Sequence, residues 1–393
     1  MNSLKEDVLD FFQEGILVAK PEQLFPEFWK EHPEIFSQIH DSSKNVYVFA
    51  LGKAGDSMAK AFAKDFKIKK GWVLTKYGHV PKESYLLENQ SIWEYREAAH
   101  PVPDENSVIH AKEILSGLQS LGSGDRLVVL LSGGGSSLFE IPIDGVTIEK
   151  IQEIQSSLLK KGTPIQKLNE ERKKYSLVKG GKLLQLLHPD LDVLTFVISD
   201  VLGDDPSLIA SGPTYPSSHY YILGNLTRSL DQIWNSAGRK GYKTKLISSV
   251  WDKSSEETSL LIEAEFLKAI QSPEKQLIML GGELVCPVVG DGKGGRNMEL
   301  TLRVSILLEK HKSNRKWMFL SGGTDGTDGP TDSAGGVVDQ DSFQKMIQHG
   351  WDPTRELLHS NSYAILKDIG STLDTGPTGT NVNDIILLLV SES

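Results

Sequence analysis

Residues 46–66 read VYVFALGKAGDSMAKAFAKDF. Residues 46–51 form an apolar run of strand length, Gly52, Lys53, Ala54 and Gly55 break it, and Met58, Ala61, Phe62 and Phe66 then recur at helical spacing. That order of strand, glycine-containing loop and amphipathic helix is the unit from which parallel α/β sheets are built. It returns twice. Residues 127–131 run into Ser132, Gly133, Gly134, Gly135, Ser136 and Ser137, and residues 193–198 run into Ser199, Asp200 and a loop ending in Ser211, Gly212, Pro213 and Thr214. All three loops fall at the carboxyl end of a strand, where open α/β sheets bind their ligands.

After about residue 220 a second series begins. Residues 276–280 enter Gly281, Gly282 and Glu283, and a hairpin-like strand over 284–289 leads to GDGKGGRN (290–297) and a helix containing Leu302, Ile306 and Leu307. A further apolar run, residues 317–320, opens into SGGTDGTDGPTDSAGG (321–336), and TGPTGTNVND (375–384) precedes the apolar residues 385–390. In this last case the polar loop comes before its strand. For it to share a site with 321–336, residues 385–390 must run antiparallel to 316–320. At 393 residues the chain exceeds the size at which one core stops growing. The reading is two α/β domains, 1–220 with a parallel sheet and 221–393 with a distinct arrangement, without internal repeats or low-complexity tracts.

Fifty-two acidic against 42 basic residues give a formal charge of −10, which argues against nucleic acid or an anionic membrane as partner while leaving room for a local basic pocket. The single cysteine, Cys286, excludes an intrachain disulfide and suits a reducing compartment. Its apolar neighbours make it a buried group rather than a nucleophile. The amino-terminal MNSLKEDVLDFF lacks the charged-then-apolar order of a signal peptide, and no run reaches the length of a membrane span. A cytoplasmic protein, monomer or homodimer, is expected.

Successive backbone amides in glycine loops cradle anions. SGGGSS is read as such a nest or as a tight turn, and its place after a buried strand favours the nest. Neither it nor GKAGDS has the spacing of a P-loop or a dinucleotide site. Lys53 follows a strand-ending glycine at a helix start, where its ammonium could meet a phosphate or remain solvated. Arg296 likewise opens a helix, a place that disfavours cations unless an anion compensates. Glu283, Asp200, Asp325, Asp328 and Asp384 lie in loops beside strands, as Mg²⁺ partners, bases, Asx turns or helix caps. Asp325, Asp328 and Asp332 do not have calcium-loop spacing. His100 is a packed loop histidine or a minor candidate. Cations, carboxylates and nests without a flavin signature fit phosphoryl transfer better than redox chemistry.

Nine segments, in order, carry a resemblance: VFALGKAGDSMA, TKYGH, EAAHPVPDENS, LLSGGGSSLFEIP, LVKGGKL, ISDVLGDDPSLIASGPT, GGELVCPVVGDGKGGRNMEL, SGGTDGTDGPTDSAGGVVD and TGPTGTNVNDI. From about residue 46 to the end they resemble the class II glycerate 2-kinase family, whose carboxy-terminal part is the MOFRL domain. The resemblance implies ATP- and Mg²⁺-dependent phosphorylation of D-glycerate to 2-phosphoglycerate, in a cleft between a Rossmann-like amino-terminal domain and an α/β carboxy-terminal domain. It makes Lys53, Arg296 and Asp200 catalytic candidates. Ser132, Gly133, Gly134, Gly135, Ser136, Lys179, Ser211, Asn297, Asp325, Thr378 and Asn381 become substrate or phosphate contacts, and Asp200, Glu283 and Asp325 metal partners. Asp200 is the first choice for base or metal partner and Asp325 the second. The chain departs from the family's usual RNQE with RNMEL, and from SGGGSALL with SGGGSSLF, which puts Ser137 and Phe139 near a possible substrate pocket. The alternatives are a hydroxypyruvate reductase, which would require a nicotinamide fingerprint, and a non-catalytic sugar-phosphate-binding protein.

Overall fold

The computed structural model describes residues 3–80, 92–160, 165–287 and 289–392. Two compact units emerge: one comprises residues 20–225 with 379–381, the other residues 1–19, 226–378 and 382–393.

The first unit is built on a parallel sheet of β1 (Asn45–Leu51), β2 (Lys70–Lys76), β3 (Trp93–Ala98), β4 (Asp125–Leu131), β5 (Asp192–Ile198) and β6 (Tyr220–Gly224). Their spatial order is β3-β2-β1-β4-β5-β6. The strands at residues 46–51, 127–131 and 193–198 are thus β1, β4 and β5, extended by a residue or two. β1 pairs with β2 on one side and β4 on the other, so the winding direction reverses between β1 and β4. Phe49, Leu51, Leu127, Val129 and Leu131 put one face of this sheet into a core closed by Ile114 and Leu118 of the helix Glu105–Gln119. The expected boundary at 220/221 falls at the start of β6, which pairs with β5 and completes the sheet; the chain leaves this unit only after residue 225.

The second unit holds a mixed sheet of β7 (Lys243–Trp251), β8 (Gln276–Gly282), β9 (Trp317–Gly323), β10 (Gly335–Asp339), β11 (Thr372–Leu373) and β12 (Asp384–Val390), ordered β11-β10-β9-β12-β8-β7. β12 is antiparallel to both β9 and β8, with Asp384 opposite Gly323 and Gly282, as the position of its loop required. β12 is buried along its whole length. Because its side chains alternate, Ile386, Leu388 and Val390 pack with Phe266 and Phe319, while Ile385, Leu387 and Leu389 pack with Phe11, Phe12 and Ile233. Each such aliphatic side chain contributes roughly 1.5–3 kcal/mol.

Phe11 and Phe12 come from the helix Leu4–Val18, so the amino terminus belongs to the second unit rather than to a 1–220 domain. Ser3 and Glu6 form a capping box, and Val8, Phe11, Phe12 and Ile16 recur on one face, giving a helix whose apolar stripe needs a sheet to cover. The strand expected over 284–289 does not form among the described residues. Val285 makes only an isolated bridge with Ser254, and Val288 lies outside the described residues. No helix among the described residues is long and apolar enough to cross a membrane.

Candidate functional site

The reversal between β1 and β4 sets two loops side by side at the carboxyl ends of adjacent strands. They touch backbone to backbone. Lys53 N–H donates to Gly133 O at 2.9 Å, Ser132 N–H donates to Leu51 O at 2.9 Å, and Ala54 N–H donates to the Ser132 hydroxyl at 3.0 Å. Gly52 has φ +116° and a Cβ there would lie 2.4 Å from Ser132 O, so only glycine permits this approach.

Asp200, two residues after β5, lies over Gly133. A Cβ on Gly133 would sit 2.0 Å from Asp200 Oδ2 and 2.3 Å from Asn381 Nδ2, and the Asn381 amide donates to Asp200 Oδ2 at 3.2 Å. Residues 379–381 are held in this unit, Gly379 O accepting from the Ser57 hydroxyl. The Lys53 stem and the His100 ring both flank Gly134. Ser136 and Ser211 share a hydrogen bond of 2.7 Å, and Ser211 donates to Asn169 Oδ1 at 2.8 Å. Ala210 and Ser211 both have positive φ, a cost of order 1–3 kcal/mol per non-glycine residue that the surrounding structure must hold in place. Lys53, Ser132, Gly133, Gly134, Gly135, Ser136, Asp200, Ser211 and Asn381 therefore form one constellation.

Lys179 differs. Its side chain is 1% exposed, its ammonium meets the equally buried Glu140, and it donates to Phe139 O at 3.3 Å. A lysine so enclosed has its counterion within the fold and is not a phosphate contact. Phe139 is also withdrawn from any substrate pocket: it packs on Phe49 with ring centroids 5.0 Å apart. Ser137 is buried too and donates to Gly134 O at 3.2 Å.

A second constellation lies in the other unit at the start of the helix Arg296–Leu308. Arg296 donates through Nε to Asp384 Oδ2 at 2.6 Å, through Nη2 to Asp384 Oδ1 at 3.0 Å, and through Nη1 to Glu283 at 3.2 Å. Asp384 is 1% exposed and Arg296 34%. Against the opposing effect of burial, Asp384, followed by Glu283 and then Asp328, holds the guanidinium pKa above its usual value. The anion that compensates a cation at this helix start is thus Asp384, a carboxylate the sequence reading had placed among possible metal partners, bases and caps.

Asn297 bridges the group, donating to Asp384 at 3.1 Å and accepting from the Ser321 hydroxyl at 2.6 Å. Gly295 supplies no side-chain cap, and Asp328 does that work from the 321–336 stretch, accepting from Asn297 N–H at 3.2 Å and Met298 N–H at 2.8 Å. Burial pushes its carboxyl up to about 7. Of the readings open to Asp328 in the sequence, the cap is the one it fills, and the uncapped GKGGRN start was the signal that a cap had to come from elsewhere. Asp325 accepts from Thr327 N–H and its hydroxyl, each at 3.0 Å, and Thr378 donates to Thr324 O at 2.6 Å. Cys286 donates to Glu299 at 2.7 Å, and burial pushes its thiol up to about 12, so it is no thiolate nucleophile.

Among the described residues no three His, Cys, Asp or Glu side chains gather as a metal-ligand set. Glu283 pairs with Arg296, so with Asp200 and Asp325 it builds no protein metal cage. What each offers is a single carboxylate.

Comparisons with known proteins also divide the chain after about residue 227, although the first match takes in residues 7–19, which pack in the second unit. Residues 7–227 match a domain of unknown function, DUF4147, and residues 276–384 match the MOFRL family. The chain is 38% identical to the D-glycerate 2-kinase of Thermotoga maritima over 388 residues, covering 88% of this chain and 90% of that protein. A putative hydroxypyruvate reductase of Agrobacterium vitis is 33% identical, with 87% of this chain and 98% of the relative covered. The crystal structure of glycerate kinase from T. maritima superimposes with a TM-score of 0.82 at 35% identity, over 98% of this chain and 99% of the other.

Proposed function

Because the chain belongs to the DUF4147–MOFRL family of glycerate 2-kinases, we propose that it transfers the γ-phosphoryl group of ATP to the 2-hydroxyl of D-glycerate. The observation that carries this reading is the paired loops at the β1/β4 reversal, with Lys53 beside one glycine and Asp200 over the next.

Phosphoryl transfer asks little covalent chemistry of a protein and much positioning and charge neutralisation. The backbone of Gly133–Ser136 offers amides to phosphate oxygens, and Lys53 supplies a positive charge. Asp200 is the base that takes the hydroxyl proton or the carboxylate that meets a metal; both roles suit its place. The hydroxyl oxygen bonds to phosphorus, the bond from phosphorus to the β-phosphate oxygen breaks, and ADP leaves. Arg296 is the cation we propose for the spread charge of that transition state: among the described residues its Nη1 is held by Glu283 alone, itself 54% exposed. Mg²⁺, when bound, neutralises phosphate charge. Single carboxylates suit it, since it keeps waters and enters on substrate phosphates with one or two protein oxygens.

The reductase reading has less support. The first strand-to-helix turn, GKAG, lacks the G-x-G-x-x-G spacing, and β2 ends in Thr75 and Lys76 without the acidic residue that binds a nicotinamide ribose. ADP release should therefore require D-glycerate in a panel of short hydroxy acids with ATP and Mg²⁺. Saturable NADH oxidation with hydroxypyruvate, and no ADP, would reverse the assignment.

A further inference from the structure

Four residues beyond Ser136 the chain buries Glu140 completely, and two cations, Lys179 and Arg172, face it while Lys182 lies near Lys179. Lys179 takes its Oε2. Lys182 donates to Lys173 O at 2.7 Å and Ser176 O at 2.8 Å. Arg172, on the helix Ile165–Lys174, lies near enough for Glu140 to act on it and for its own charge to act on Lys179. One carboxylate facing two cations, with a third near Lys179, leaves a local excess of positive charge in a largely buried place, which is costly unless an anion joins it.

Among the described residues, the Arg172 Nε is buried without a hydrogen-bond partner, and so is Glu140 Oε1. Arg172 follows Asn169 by three residues, so the two share a helix face, and Asn169 holds the Ser211 hydroxyl that bonds Ser136. Of the two central cations only Arg172 is partly open to solvent; Lys179 is sealed against Glu140.

We infer that Arg172 receives the carboxylate of the acceptor acid, beside the Ser136–Ser211 hydroxyl pair, and that this makes it the residue selecting an acid over a neutral polyol or amide. This rests on the proposed kinase function. An arginine presents two parallel donors that match a carboxylate, and the neighbouring serines match the hydroxyls of a three-carbon acid. Lys179 serves by occupying Glu140, which keeps the guanidinium from being claimed within the fold.

The test compares the full-length protein with Arg172→Gln and Arg172→Lys, using D-glycerate, its uncharged carboxamide and ATP. Arg172→Gln should raise KM for D-glycerate roughly 10–100-fold, the size of a charge-assisted contact, with kcat and KM for ATP little changed. Its preference for the acid over the carboxamide should fall by the same factor, and Arg172→Lys should recover part of it. An unchanged KM for D-glycerate, an equal loss on both acceptors, or a rise confined to ATP would overturn the inference. If the unmodified protein turns over no glycerate, the kinase reading fails by itself. Calorimetric titration of D-glycerate then decides: binding lost in Arg172→Gln upholds the carboxylate site, and equal or absent binding removes it.

Discussion

Replacing Arg296 by alanine removes two things at once, and the structure allows them to be separated. The guanidinium makes two short bonds to Asp384, which is 1% exposed and otherwise reached by the Asn297 amide at 3.1 Å and Leu284 N–H at 3.5 Å. Stripped of its partner, that carboxylate stays buried at a cost of about 3–5 kcal/mol; the exposed pair with Glu283 adds less than about 1 kcal/mol. Arg296→Ala should therefore lower stability by several kcal/mol, read in urea unfolding, and also lower kcat and kcat/KM together by about 10² or more. Adding Asp384→Asn to Arg296→Ala removes the stranded charge and keeps an acceptor toward Asn297. The double variant should regain most of the stability and none of the turnover. Recovery of turnover along with stability would refute a catalytic role and leave Arg296 as the counterion of Asp384. Arg296→Lys keeps a charge but not the planar fork, so it should fall between.

Other outcomes follow from single contacts. Gly133→Ala places a methyl 2.0 Å from Asp200 Oδ2 and should cut kcat more than about tenfold with little change in the unfolding midpoint; normal turnover would detach Asp200 from the chemistry. Asp328, raised to about 7 by burial, binds its proton more tightly folded than unfolded. Its contribution to stability is thus full below about pH 4 and is lost as pH rises through about 7, by at most ~4 kcal/mol. The stability difference between the unmodified protein and Asp328→Asn should shift in that sense between pH 4 and 8, and a difference flat with pH would show an ordinary carboxylate. Excess chelator should abolish turnover, because unneutralised phosphate charge opposes the approaching hydroxyl; full activity in chelator would remove the metal.

Much of the first unit was legible because β1, β4 and β5 are buried on both faces and so appear as unbroken apolar runs ending in glycine or small polar residues. The loops that follow them are where ligands were expected. Their adjacency was not legible, since strand order depends on long-range pairing that no local pattern records. The same holds for the amino-terminal helix, whose stripe of Val8, Phe11, Phe12 and Ile16 shows that it covers a sheet but not which one. β10 was hidden inside the glycine stretch: Gly335 and Gly336 read as loop, yet they pair with Gly322 and Ser321 because these residues leave room for tight strand contact. Lys179 misled for a related reason, because a lysine just before two glycines looks mobile and only the folded chain brings Glu140 to it.

The central claim is a reaction at one oxygen atom, so product identity tests it most directly. Phosphorus NMR of a completed reaction with ATP, Mg²⁺ and D-glycerate should show 2-phosphoglycerate and ADP formed in equal amounts, and no product from L-glycerate. Phosphate on the 3-hydroxyl, or ADP released with inorganic phosphate alone, would contradict it.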